Sequence, residues 1–492
     1  MTPDAALDAL LAHHRKIDAM EGVLGLLAWD QETQMPPKGA AQRAEQRGAV
    51  AGALHALRTD PRIGDWLADA EAGGHPAPVR ADLAEARRGW ERAAKAPEAL
   101  AVALARETSA AHVIWAAAKA AGDPAAFVPA LGGVLTLRRE EAAAVAEGTD
   151  LSPYDALLQD YEPGARAEAL APMFARLREG VVDLLGRCEG ARRAPGLIGD
   201  FPAPSQMALA RRLATVCGYD WEAGRLDLAV HPFCAGSFGD VRISSRVADA
   251  DPLENAYAVM HETGHALYEQ GLPEDLRGRP TGTHASMGLH ESQSRFWENH
   301  VGRSRPAAPW MLGELRAAFG AIGIDDPEAL FRAVNRVEDG FVRTAADELQ
   351  YDLHILMRFD LERALVAGDL APEDLEGAWN DRFEADFGRR PPHPGLGWLQ
   401  DVHWSEGLIG YFPTYTLGNV AAAALAAAMR RDLPEVEAGW SEGDFAPALG
   451  WMREKVHARA RSVPAGEILS DACGGPVDEG PLLAHLEAKF AD

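Results

Sequence analysis

Residues Asp251–Gly271 read DPLENAYAVMHETGHALYEQG. They contain His261-Glu262-Thr263-Gly264-His265, an H-E-x-x-H pattern. On a helix, residues four apart lie one turn apart on one face. Both imidazoles can then reach a single metal ion, and Glu262 sits beside them to handle a metal-bound water. The flanks predict that helix. Asp251 is a good N-cap, Pro252 suits the first helical position, and Glu254 completes a D-x-x-E capping box. Gly271 is a C-terminal stop. Tyr257, Met260, Gly264 and Leu267 fall at helical spacing and read as a buried face. The bland alternative is a pair of satisfied core histidines beside a solvent-facing glutamate, so a third ligand is needed to decide.

Composition bounds the rest. The chain has 492 residues, 47% hydrophobic and 25% charged, which is ordinary for a globular protein with a large core. The net charge of −26 argues against a nucleic-acid partner, because a phosphate-binding surface needs clustered Lys and Arg. It also fits a protein repelled by anionic membranes. The four cysteines, Cys188, Cys217, Cys234 and Cys473, show no C-x-x-C spacing, and a reducing compartment fits them better than a disulfide scaffold. Cys234, in HPFCAG, reads as a small buried residue rather than a nucleophile. The N-terminus lacks the basic start and apolar block of a signal peptide, and no apolar run approaches a membrane span. Cytoplasmic is the default expectation.

Residues 1 to about 150 read as successive helices rich in Ala, Leu, Glu and Arg. The first carries Leu7, Leu10, Leu11, Ile17 and Met20, with breaks expected at Gly22 and Gly25. Pro36-Pro37 and Gly39 force a loop, and a helix resumes near Ala40. Trp29 reads as a core anchor, and His13, His14 and His112 as lone helical histidines. The Gly/Pro-punctuated GRCEGARRAPGLIGDFPAPSQ, Gly186 to Gln206, is the best internal boundary. Two short strands, in RLDLAVHPF and DVRISSRV, flank HPFCAGSFG just before the HETGH helix. Exposed backbone on such a sheet edge could pair with an extended peptide. Beyond the HETGH helix, Ala285 to Val301 predicts a helix carrying His290, Glu291, Ser294 and Glu298. A long helix is expected from near Phe341, with Leu349, Leu353, Leu356, Phe359 and Leu361 in its buried stripe. The pattern predicts a mainly α fold over residues 1–492, one large domain divisible into two lobes.

A catalytic zinc commonly takes three protein ligands and a water. A metzincin-type third histidine is excluded, because Tyr268 and Gly271 occupy the positions it requires. A glutamate from a later helix is the other route. Glu291, in H-E-S-Q-S, fits a helix–loop–helix hairpin, with Glu298 and Glu269 as rivals on spacing alone. His261, His265 and Glu291 would leave one position open for a water that Glu262 could deprotonate, which is the chemistry of amide hydrolysis.

Several blocks, in this order, resemble the carboxypeptidase Taq family of metallocarboxypeptidases. They are HPF at His231–Phe233 with DVRISSR at Asp240–Arg246; HETGH; HESQS at His290–Ser294; VRTAAD at Val342–Asp347; and GWLQDVHW at Gly397–Trp404 with GYFPTY at Gly410–Tyr415. Val342 stands where the family usually has Ile, a shape-conserving change. LAWDQETQMPPKG also resembles the family's N-terminal part.

The resemblance implies a largely helical, groove-forming fold of the neurolysin and angiotensin-converting-enzyme type, with a small β-sheet next to the zinc helix. It implies release of single C-terminal residues with broad specificity and poor action on C-terminal Pro. It assigns zinc, with cobalt as a working substitute, to His261, His265 and Glu291, and the base to Glu262. It also implies a homodimer. An exopeptidase must hold the substrate's free carboxylate, which suits Arg, and Arg343 is the residue carried over from the VRTAAD block. His403 and Gln400 are expected to close the far end of the groove. Tyr411 and Tyr415 are candidates for stabilising the oxyanion, with Tyr411 preferred for that role. His231 is a candidate partner of substrate or oxyanion. Ser294 could orient a metal ligand, and Asp347 could hold Arg343 or close a helix contact. The alternative activity is that of an oligopeptidase or dipeptidyl-carboxypeptidase with the same metal chemistry.

Overall fold

The Asp251 carboxylate accepts a hydrogen bond from the Leu253 amide at 2.9 Å, and the HETGH helix runs Pro252–Glu269. Pro252 sits in the first turn, where a missing N–H leaves nothing unpaired. Glu254 pairs with Arg246 just beyond the preceding strand, so the expected capping-box carboxylate is turned to the sheet–helix junction. Tyr257, Met260, Gly264 and Leu267 are all buried. In this computed structural model, residues 1–188, 191, 196–248 and 250–491 are described.

The fold is mainly helical, with nineteen α-helices and one three-stranded sheet among the described residues. The sheet has the order β1-β3-β2, with β1 at Gly224–Leu228, β2 at Cys234–Ser237 and β3 at Asp240–Ser245. β1 runs parallel to β3, pairing Leu226 with Ile243, and β2 runs antiparallel, pairing Cys234 with Ile243. Val241 and Ile243 of β3 are fully buried in the core that holds the HETGH helix. Asn255 on that helix donates to Ser245 Oγ at 2.9 Å and to the Arg246 carbonyl at 2.8 Å, tying helix to sheet.

Sequence patterning anticipates β1 and β3 but not β2. Cys-Ala-Gly-Ser carries no β-branched residue, so nothing local announces a strand. The tertiary pairing creates it. Gly236 has φ +91°, and a Cβ there would lie 1.9 Å from the Asp240 carbonyl oxygen, so only glycine fits this tight hairpin.

The helix Met287–Arg295 packs against the HETGH helix and carries HESQS. Ser286 caps it, accepting from the Leu289 amide at 3.0 Å. The single helix expected to Val301 changes character at Phe296, where a wider π-helical segment runs Phe296–Gly302. Such segments gather at functional sites.

The loop joining these two helices is clamped by distant parts of the chain. Asp82, fully buried on the helix Ala77–Lys95, accepts from Arg279 Nε at 2.8 Å and from Thr281 Oγ1 at 2.7 Å. Arg461 donates to the His284 carbonyl at 2.9 Å. His457 Nε2 meets Gln293 Oε1 at 3.0 Å.

The chain divides into two units. The first comprises Met1–Ala94, Pro195–Val334 and Ala421–Val477; the second comprises Lys95–Ala194, Asn335–Val420 and Asp478–Asp492. One crossing falls in the connection marked as a boundary above, part of which (residues 189, 190 and 192–195) lies outside the described residues. In the first unit the opening helix runs Pro3–Thr33 straight through Gly22 and Gly25. A Cβ added at either glycine would meet nothing within 4 Å, so no packing demand breaks the helix there. Trp29 is buried against Phe233, as an anchor. In the second unit the long helix starts at Glu348 rather than near Phe341. Asp347 sets the start by accepting from the Gln350 amide at 3.0 Å, and Ala346 before it is extended. Among the described residues, no helix is long and apolar enough to cross a membrane.

The tightest helix contact is at Gly264. A Cβ there would lie 2.5 Å from the Gln293 carbonyl oxygen and 2.6 Å from Ser294 Cα, both backbone atoms that cannot rotate aside. Gly264→Ala should therefore push the HESQS helix away, destabilise the protein by about 1–3 kcal/mol and weaken metal retention. Thermal melting with parallel metal analysis checks this; a variant with unchanged melting and unchanged metal content would show that the contact is slack.

Candidate active site

His261 and His265 lie one turn apart, with ring centroids 4.9 Å apart. Glu291 faces them from the neighbouring helix. Its Oε2 lies 3.6 Å from His261 Nε2 and 3.3 Å from His265 Nε2. Two ligand atoms each about 2.1 Å from a tetrahedral metal are about 3.4 Å apart. The three side chains thus already have the spacing of a metal site.

The unused ring nitrogens show how the site is prepared. His265 Nδ1 meets the His290 carbonyl at 3.1 Å. A carbonyl only accepts, so Nδ1 carries the proton and Nε2 keeps its lone pair toward Glu291. His261 Nδ1 meets Glu298 Oε2 at 2.9 Å. Glu298, a rival for the third ligand on spacing alone, instead hydrogen-bonds the His261 ring. Glu291 is itself held. Arg295 Nε donates to its Oε1 at 2.7 Å, and Ser294 Oγ donates to its Oε2 at 3.1 Å. Ser294 has the orienting contact its position suggested.

Metal binding needs a neutral imidazole and an ionised carboxylate, and His265 and Glu291 are both shifted that way. Burial, aided by neighbouring His290, lowers His265 to about 3, so it is neutral. Burial opposes ionisation of Glu291, but Arg295 and His261 outweigh it and hold that carboxyl well below its usual range. Burial lowers His261, yet Glu291 and Glu298 raise it overall. Glu262 is not part of the ligand triangle. It is buried, and burial pushes its carboxyl up to about 7, where it can gain or lose a proton near neutral pH.

A second constellation lies within the other unit. Arg343 is buried and donates through Nε at 2.9 Å and Nη2 at 2.8 Å to Asp401 Oδ1, and through Nη1 to Tyr351 at 3.1 Å. Arg358, wholly buried, donates to Asp401 Oδ2 at 2.8 Å. Two guanidinium groups share one carboxylate, leaving an excess positive charge. Gln400 accepts from the Arg343 amide at 2.7 Å, fixing its backbone. His403 Nε2 meets Tyr415 Oη at 3.2 Å, while its Nδ1 is buried without a hydrogen-bond partner. Tyr411 packs 5.3 Å from Tyr415 and 5.6 Å from His403, between ring centroids. Tyr415 lies in the helix Pro413–Asp432 and Tyr411 just before it.

Other assignments resolve differently. Asp347 caps the long helix, and Asp401 holds Arg343. His231 is exposed and, among the described residues, makes no hydrogen bond to His261, Glu262, His265 or Glu291. Burial raises the Cys234 thiol well above its ordinary range, and among the described residues none of the four cysteines forms a disulfide.

A helical fold with an H-E-x-x-H helix, a glutamate from the next helix and a buried glutamate beside them defines a metallopeptidase. The family model of carboxypeptidase Taq (M32) metallopeptidases matches residues 9–490, and the chain belongs to that family as a metallocarboxypeptidase. It is 42% identical to thermostable carboxypeptidase 1 of Thermus thermophilus, over 100% of this chain and 99% of that protein. It is 33% identical to carboxypeptidase 1 of Bacillus subtilis, over 97% of this chain and 96% of that one. The fold matches metallocarboxypeptidase 1 of Trypanosoma cruzi with a TM-score of 0.97 and 33% identity, covering 99% and 100% of the two chains. It matches the M32 carboxypeptidase of Deinococcus radiodurans with a TM-score of 0.93 and 36% identity, covering 99% of each.

Glu298 hydrogen-bonds His261 and lies outside the His261, His265 and Glu291 group. Glu298→Ala should weaken metal affinity about 10–100-fold, whereas Glu291→Ala should strip the metal. Chelator competition on the two variants checks this, and the reverse order of loss would exchange the two roles.

Proposed function

We propose that this metallocarboxypeptidase releases single C-terminal amino acids from peptides, with broad specificity and poor action on C-terminal Pro. Glu262 is the general base of this reaction, and zinc held by His261, His265 and Glu291 is the native metal, with cobalt able to replace it. The observation that carries the reading is a ligand triangle with metal-site spacing beside a buried carboxyl poised near pH 7. The metal supplies Lewis acidity toward the scissile carbonyl and a water of lowered pKa. Glu262 takes the proton of the attacking water on its carboxylate and delivers it to the departing amine nitrogen. His261 and His265 are held in the coordinating tautomer by Glu298 and the His290 carbonyl.

Arg343 receives the substrate's C-terminal carboxylate. The excess positive charge around Asp401 supports this, because an added carboxylate would neutralise it. His403, with a free buried Nδ1, is a further donor for the substrate, and Gln400 keeps Arg343 in place. Tyr411 serves the oxyanion and Tyr415 the substrate end of the same cluster. For His231, exposure supports at most a contact with a bound peptide. A cytoplasmic homodimer completes the reading, on the family resemblance of the sequence blocks.

Incubation with N-blocked tripeptides should yield one free amino acid per cut. Release of dipeptides or internal fragments would instead indicate a dipeptidyl-carboxypeptidase or oligopeptidase. Glu262→Gln should lower kcat by about 10²–10⁴ with metal still bound. Arg343→Ala should reduce kcat/KM on free-carboxylate peptides about 10–100-fold without changing metal content. Wild-type kinetics in either variant would remove that residue from its assigned role.

A further inference from the structure

One turn beyond His265, the HETGH helix presents Glu269 on the same stripe. Its side chain is buried, and Glu269 Oε1 meets His284 Nδ1 at 2.9 Å and His290 Nε2 at 3.1 Å. The rings of His284 and His290 are 4.5 Å apart between centroids. All three ligating atoms lie within 4.8 Å of one another. None of the three is a ligand of the catalytic triangle.

Hydrogen bonding alone accounts for two N–H groups pointing at one carboxylate oxygen. Three further features go beyond it. Both rings address Oε1, and no described side chain donates to Oε2. Two atoms each about 2.1 Å from a metal are about 3.0 Å apart when their ligand angle is near 90°, which fits the 2.9 and 3.1 Å separations. Glu269 and His284 line a cavity of about 680 Å³ within the same unit, together with Gly282, Thr283 and Arg461, so ions and waters have space to complete a coordination sphere.

We propose that Glu269, His284 and His290 form a second divalent-metal site, separate from the catalytic one. Two imidazoles and one carboxylate select borderline transition ions such as Zn²⁺ or Co²⁺ over Mg²⁺ or Ca²⁺. His284 coordinates through Nδ1 and His290 through Nε2. Coordination needs the lone pair of each named nitrogen, so each ring carries its proton on the other nitrogen when the site is filled. The site is weaker than the first, because two hydrogen bonds are given up when it fills. It is also coupled to the first. The His290 ring stacks on His265 at 4.4 Å and 16°, and its carbonyl holds His265 Nδ1. An ion on His290 therefore stiffens the support of a catalytic ligand.

The test is equilibrium dialysis of the full-length, chelator-stripped protein against Co²⁺, with excess Mg²⁺ present to fill carboxylate-only surface sites. Bound Co²⁺ is read by elemental analysis and by its visible spectrum. Wild type should take up two ions per chain in two separable steps, and His284→Ala should take up one. The isosteric Glu269→Gln should also take up one, and serves if His284→Ala fails to fold. Saturation of wild type at one ion per chain overturns the proposal, as does a second ion retained in a folded variant.

Discussion

The metal site depends on how closely two helix backbones approach each other. Gly264 presents no side chain to the HESQS helix, and the Gln293 carbonyl and Ser294 Cα fill the space a methyl group would take. Glu291 is two residues before Gln293, so this contact sets how far its carboxylate reaches toward His261 and His265. The second unconstrained position of the H-E-x-x-H pattern is therefore constrained in this protein, by packing rather than by chemistry. The ends of the contact are secured elsewhere, by Asp82 on the connecting loop and by His457 on Gln293.

Around that contact the charges are arranged in layers. Glu291, Glu298 and Glu262 bring three carboxyl groups into one buried region. Arg295 reaches both Glu291 and Glu298, at 2.7 and 3.4 Å, and His261 lies between the same two. A buried carboxylate is tolerated only with such partners. Burial pushes all three upward, but Glu262 has the weakest compensation, and so it alone ends above its usual range. One chemical group thus sits in three electrostatic settings according to its neighbours.

The sequence makes the chemistry more legible than the wiring. HETGH with its Asp-Pro cap specifies a helix and two ligands locally, and HESQS offers Glu291 within hairpin distance. Glu291 and Glu298 are seven residues apart, and spacing alone places both toward the same neighbour. Only the depth at which each meets the HETGH helix separates ligand from orienter. Asp401 is invisible as the partner of Arg343, because 58 residues separate them and the ion pair exists only once the fold is made. The strand at Cys234–Ser237 is hidden for the same reason: it is induced by pairing with β3. Gly22 and Gly25 suggest breaks that do not occur, because this helix tolerates glycine there at a modest free-energy cost.

The two units are each assembled from three separated stretches of chain. The unit holding the metal site takes its last stretch from Ala421–Val477, which includes His457 and Arg461, the residues that brace the HESQS helix and the loop before it. The other unit is closed by the terminal helix, whose His485 and Lys489 pair with Glu348. During synthesis, the HETGH helix therefore leaves the ribosome long before its braces do. Contacts of such long sequence separation form slowly, and neither unit can be excised as one continuous fragment. The packing around His261, His265 and Glu291 is therefore completed only once residues 164 positions beyond Gln293 have been made.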